Sequence, residues 1–114
     1  MNAIAKAKYI RGSATKARLV IDQIRGKHVD DALNILKFSP KGAAKAIEDC
    51  LKSAVSNALQ KDSMLDADDL VVSRAVVDGG PQMKRVRPAS MGRAFRIRKR
   101  FHHITIEVSN PEQD

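Results

Sequence analysis

Two β-rich runs of this chain are joined by a segment whose composition fits neither a core nor an ordinary loop. Leu70 to Val77 reads Leu-Val-Val-Ser-Arg-Ala-Val-Val, and Ile104, Ile106 and Val108 alternate with Thr105, Glu107 and Ser109. Both runs have the composition and spacing of strands. The 23 residues from Asp78 to Arg100 carry eight basic side chains, all between Lys84 and Arg100, and no acid falls between Gly79 and Ile106. Connections in compact domains run about 4–6 residues, and structureless loops beyond about 12–15 are uncommon and often functional. The apolar residues Met83, Val86, Met91, Phe95 and Ile97 are too scattered to dock this segment on a core against eight repelling cations. Yet Arg96, Arg98 and Arg100 share one parity while Phe95 and Ile97 share the other. The alternation predicts that the flanking strands continue outward as a ribbon over about 78–102, turned at Pro88 to Gly92. Eleven residues per arm at roughly 3.3 Å each reach about 36 Å. That exceeds the radius of gyration of about 13 Å expected for a domain of this size.

The rest of the charge is segregated too. Residues 1–27 carry a net +6, residues 28–78 a net −3 and residues 79–114 a net +5, within a 114-residue chain of net charge +8. A surface tuned only for solubility mixes its signs; segregated positive charge marks a surface that meets phosphate. The candidate RNA-binding residues are Lys6, Lys8, Arg11, Lys16, Arg18, Arg25 and Lys27 in the first segment. In the last they are Lys84, Arg85, Arg87, Arg93, Arg96, Arg98, Lys99 and Arg100, with His103 beside them. Six of the eight cations in the ribbon are arginine, whose planar fork grips phosphate and stacks on bases. No helix carries the row of Arg, Asn and Gln that reading a DNA major groove needs. The pattern favours RNA.

The remaining sequence supplies a single domain over 1–114. Residues 2–11 alternate and predict a strand, which Gly12-Ser13 stops. Ala17, Val20, Ile21 and Ile24 mark one face of a helix that begins after Ser13 and closes at Gly26. Val29, Ala32, Leu33 and Leu36 mark a second helix, with Asp30 and Asp31 in its first turn. Ser39 as N-cap and Pro40 at the first helical position predict a third helix over about 41–61. Its stripe of Ala44, Ile47, Leu51, Ala54, Val55, Ala58 and Leu59 is expected to pack on the strands 70–77 and 104–108. The fold class is α+β: a three-stranded antiparallel sheet packed by three helices, with a long extended β-hairpin projecting from the domain.

Chemistry of other kinds has little support. No phosphate-cradling glycine loop or paired-His helix motif occurs. His102 and His103, adjacent in a strand, point to opposite faces and cannot chelate one ion. One is expected toward the sheet and one toward RNA or solvent. Cys50 reads as a small packed side chain, and with one cysteine in the chain no internal disulfide can form. Glu48 and Asp49 point about 100° apart on a helix, and Asp66, Asp68 and Asp69 lack the rest of a calcium loop. The longest apolar run is three residues, far short of a membrane span. The beginning Met1-Asn2-Ala3-Ile4-Ala5 is read as leaving no room for a transit peptide. No metal, no cofactor, no membrane and no catalytic activity are expected.

The ordered run Met83-Lys84-Arg85, Pro88, Gly92-Arg93-Ala94, Arg96-Ile97, Lys99-Arg100 and His103-Ile104-Thr105-Ile106 closely resembles the ribosomal protein L22 (uL22) family of the bacterial large subunit. So do Ser13-Ala14, Lys16-Ala17-Arg18-Leu19-Val20, Ile24-Arg25-Gly26-Lys27, Ala32-Leu33 and Val77-Asp78 with Gly80-Pro81. The resemblance spans residues 3 to 109. It implies a structural protein that binds 23S rRNA, supports subunit assembly and lines the polypeptide exit tunnel with its hairpin. It also implies other large-subunit proteins and the nascent polypeptide as partners, a cytoplasmic, ribosomal location and no homo-oligomer. By that resemblance the tunnel tip comprises Met83, Pro88, Ala89, Ser90, Met91 and Gly92. Ala89 and Met91 stand where the family often has basic residues, and Arg87 where many members are apolar. The alternative is a free-standing RNA-binding architectural or regulatory protein; a small enzyme acting on an acidic substrate is the third reading, with no residue to nominate for it.

Overall fold

The computed structural model describes residues 2–88 and 94–110, with side chains over 2–80 and 100–110. Element order is β1 (Asn2–Arg11), α1 (Ala14–Ile21), α2 (Val29–Lys37), α3 (Ala44–Lys61), a short 3-10 turn (Ala67–Asp69), β2 (Val71–Pro88) and β3 (Ala94–Ser109). β3 pairs antiparallel with both other strands, so the sheet order is β1-β3-β2. The central place falls to the strand with the most regular apolar alternation, whose Ile104, Ile106 and Val108 are fully buried. Ala3 and Ala5 of β1, and Val72, Ala75 and Val77 of β2, join them in one core. The α+β class and the antiparallel sheet packed by three helices are as expected.

Several details differ from the sequence reading. α3 lies over β1 and β3, while α1 covers β2; the expectation that α3 packs on β2 is corrected. The small Ala3 and Ala5 let the long helix settle on β1. Within the α3 stripe, Ile47, Leu51, Ala54 and Ala58 are buried, but Leu59 is 36% exposed and Val55 only half-buried. At 100° per residue Leu59 falls about 120° from Ile47, at the rim of the face, whereas Cys50 falls about 60° away and is buried. α3 starts at Ala44 instead of about 41, because Ser39 Oγ accepts from the Lys41 N–H at 3.4 Å, closing a turn before Gly42. α1 ends at Ile21 and not at Gly26. Gln23 and Ile24 donate to Val20 and Ile21, a tighter winding, while the Gly26 N–H reaches Val72 O at 2.9 Å. That strand contact pulls the chain off the helix axis, and Gly26 takes φ +75° to follow it.

Both edges of the sheet are closed by side chains from the helical layer. On β1, Asn57 Nδ2 donates to Ile4 O at 3.0 Å and Lys61 Nζ to Asn2 O at 2.8 Å. On β2, Arg25 Nε donates to Ala75 O at 2.7 Å, and Arg18 donates from Nε and Nη2 to Val77 O at 3.1 and 3.0 Å. Open strand edges invite pairing with other chains, and these bonds occupy outward carbonyls of each edge.

β2 and β3 run on past the helical layer as one ribbon. Their backbone pairing continues from Asp78↔His103 to Pro88↔Ala94. The principal-axis extents are 65 × 24 × 17 Å.

Candidate nucleic-acid interface

The helices cover one face of the sheet and leave the other open. Lys6 and Lys8 of β1 are exposed there, with the half-buried His103 and Thr105 of β3 and the exposed Asp78 of β2. Together with Tyr9 they line a shallow hollow of about 280 Å³. Of the residues expected to bind RNA, the fold brings Lys6, Lys8 and His103 together here.

Arg11 and Lys16 line a second concavity of about 680 Å³, with Gly12, Ser13, Lys41, Gly42, Ala43 and His102. It lies where α1 and α3 begin, so the positive ends of two helices add to three cations. Lys41 belongs to the acidic middle segment in sequence, and only the crossing of the helices carries it to this end. His102 is 1% exposed, and its Nδ1–H donates to Gly12 O at 3.1 Å. Its Nε2 has no partner among the described residues.

The other predicted cations have different surroundings. Arg18 and Arg25 remain exposed, but their guanidinium groups reach the β2 edge as described, and Arg25 also pairs with Asp22. Lys27 is exposed, its carbonyl accepting from the Val72 N–H at 2.9 Å. Arg100 is exposed where the ribbon leaves the domain, and its carbonyl accepts from the Gly12 N–H at 2.9 Å. Lys84, Arg85, Arg87, Arg96, Arg98 and Lys99 stand on the paired arms, with Lys84 the register partner of Arg98. Met83 and Pro88 lie on the same arms. Arg93, Ala89, Ser90, Met91 and Gly92 lie outside the described residues.

The passage from sheet to ribbon is built from two bulges on either side of β3. On β1 the register shifts between Ala7 and Ile10, and Tyr9 takes φ +59°. On β2 it shifts between Gly79 and Gln82. A Cβ on Gly80 would stand 3.0 Å from Phe101 O and 3.3 Å from His103 Nε2, so no larger residue fits without displacing backbone. Bulges bend a strand and raise its twist. The two histidines fasten this region from opposite faces, as their adjacency predicts. The Tyr9 N–H donates to His103 Nδ1 at 3.0 Å, and the two rings meet edge to face at 4.9 Å. With Nδ1 accepting, a neutral imidazole carries its proton on Nε2.

Cys50 is buried, and burial pushes its thiol from 9.0 up to about 11. Among the described residues no group of three or more His, Cys, Asp or Glu side chains could hold a metal ion, and no helix is long and apolar enough to cross a membrane.

Comparison with known proteins points in one direction. Residues 5–109 match the family model described as "Ribosomal protein L22p/L17e". The protein named large ribosomal subunit protein uL22 from Thermoanaerobacter sp. (strain X514) is 53% identical over 112 residues, covering 98% of this chain and all of that protein. Its namesake in Halothermothrix orenii is 53% identical over 113 residues, covering 99% of each chain. That of Leptospira biflexa serovar Patoc is 50% identical over 113 residues, covering 99% of this chain and 97% of that protein.

Proposed function

Since this chain belongs to the ribosomal protein L22p/L17e family, we propose that it binds 23S rRNA, supports assembly of the large subunit and lines the polypeptide exit tunnel with its hairpin. The observation that carries the reading is the ribbon itself. The paired arms, Gln82 to Pro88 and Ala94 to Arg100, carry seven cations and no acid, and Lys84 and Arg98 sit opposite each other in register. Like charges opposite one another destabilise a β pair, so this ribbon gains most when a polyanion surrounds it.

The domain and the hairpin divide the work. The domain docks through Lys6, Lys8, Arg11, Lys16 and Lys27, with His103, on its open face and at its helix starts. Arg18 and Arg25 brace β2 and offer their remaining N–H groups to the same RNA. Arg96, Arg98, Lys99 and Arg100, with Lys84, Arg85, Arg87 and Arg93, clamp rRNA backbone along the stem. Met83, Pro88, Ala89, Ser90, Met91 and Gly92 shape the passage that the nascent polypeptide follows. Other large-subunit proteins adjoin the domain.

Deleting residues 84–95 and closing the arms with a short turn tests this division. The deletion leaves every residue of the described core in place, and four of the eight ribbon cations remain. Large subunits should still contain the shortened protein after a high-salt wash. Chemical probing of their rRNA should change near the tunnel constriction and stay unchanged beneath the domain. Absence of the shortened protein from assembled subunits would mean that docking depends on the tip.

A further inference from the structure

Tyr9 is the residue on the open sheet face that neither core packing nor charge explains. It is 61% exposed, and its backbone sits at φ +59°, where residues other than glycine are uncommon. A residue held there persists only where the surroundings impose it. Here the surroundings are specific: the amide N–H left out of the ladder by the bulge is taken up by His103 Nδ1, and the His103 ring props the tyrosine edge to face. A bulge that merely bent β1 could have used glycine, as the chain does at Gly12 and Gly26.

Around this propped ring the polar groups are sorted by strand. Lys6 and Lys8 line the β1 side of the hollow, and Asp78 lines the β2 side, as register partner of His103. Phosphate is drawn to the lysines and repelled by the carboxylate. A carboxylate in turn accepts from the amino groups that bases carry. An exposed aromatic ring flanked by lysines on an open sheet is how unpaired bases are held. We propose that Tyr9 is a stacking platform for one unpaired nucleotide of the bound RNA, its base over the tyrosine ring toward Asp78 and its flanking phosphates on Lys6 and Lys8. This rests on the rRNA-binding reading and adds to it a single-stranded element and a base contact outside the hairpin.

The test uses the full chain and a 23S rRNA transcript as the probe. Tyr9→Gly removes the ring while keeping the backbone N–H bond to His103, and glycine accepts the left-handed conformation without strain, so the variant should fold. Its affinity for the transcript should fall by about 5- to 150-fold, the range measured for removing one base–aromatic stack. Its salt dependence should not change, because no phosphate contact is lost, whereas Lys8→Ala should reduce the salt slope by about one. Tyr9→Phe should bind nearly as the parent does. Tyr9→Asn, which also tolerates the conformation, should repeat the loss. A variant-free readout exists as well. Tyr9 is the sole tyrosine and the chain has no tryptophan, so its fluorescence reports this ring alone and should be quenched on binding. Native affinity in Tyr9→Gly with unquenched fluorescence in the parent overturns the proposal while leaving rRNA binding intact. A parent chain that does not bind the transcript rejects the rRNA reading and this proposal together.

Discussion

At the scale of single residues, several side chains carry structural duties that their type does not announce. Cys50 is the plainest. Its thiol lies in the core, with Sγ 3.5 Å from Ala5 O, and burial raises its pKa to about 11. The thiolate is the reactive form, so the native chain should resist iodoacetamide at pH 8 and react only once unfolded; rapid native labelling would show the core open there. The raised pKa favours the folded state fully below about pH 9, and that contribution is lost between 9 and about 11 as the folded thiol ionises. Arg18 and Arg25 are the second case. Their charge suggests RNA, yet their N–H groups close the β2 edge. Arg25→Ala should therefore lower stability by about 0.5–1.5 kcal/mol in a denaturant titration of the free protein, the worth of one hydrogen bond. An unchanged midpoint would mean that the edge bond contributes nothing.

At the scale of elements, the molecule is decided by how three strands meet one helical layer. Leu51, fully buried on α3, sits between that helix and β1 and β3. Leu51→Ala should cost about 2–5 kcal/mol, read as a lowered denaturation midpoint. At the junction of sheet and ribbon, Gly80→Ala should cost about 1–3 kcal/mol, since the added carbon would overlap the Phe101 backbone. A melting temperature equal to the parent's would show that the bulge can yield. Alternation made the strands legible in the sequence, and the 3.6-residue spacing of Ile47, Leu51, Ala54 and Ala58 made α3 legible. What the spacing could not carry was which strand each helix covers. That depends on sheet order, and nothing local in Leu70–Val77 says that β2 takes an edge and β1 the other. The starts and stops were misplaced for a similar reason. Ser39 could cap a helix or close a turn, and Gly26 could end a helix or follow a strand contact with Val72. At Gly26 a partner far away in sequence, Val72, makes the choice, while at Ser39 the Lys41 N–H two residues on closes a turn.

At the scale of the whole molecule, charge is segregated along the sequence, with a basic first segment, an acidic middle and a basic last segment. The ribbon and its flanking strands were legible because a run without acid from Gly79 to Ile106, alternating in character toward its end, leaves few alternatives. Lys41, Tyr9 and the buried Nε2 of His102 were not, because each acquires its surroundings only through the fold: two helix starts for Lys41, a bulge for Tyr9, a buried strand face for His102. The proposed docking depends on phosphate neutralisation by cations spread over both the domain and the ribbon. Its most direct measurement is the affinity of the purified full chain for a 23S rRNA transcript as a function of salt. With about 6–10 phosphates contacted, binding should weaken by about 10³–10⁵ between 50 and 200 mM monovalent salt. Affinity that stays flat across that range, or no binding at the low-salt end, would contradict it.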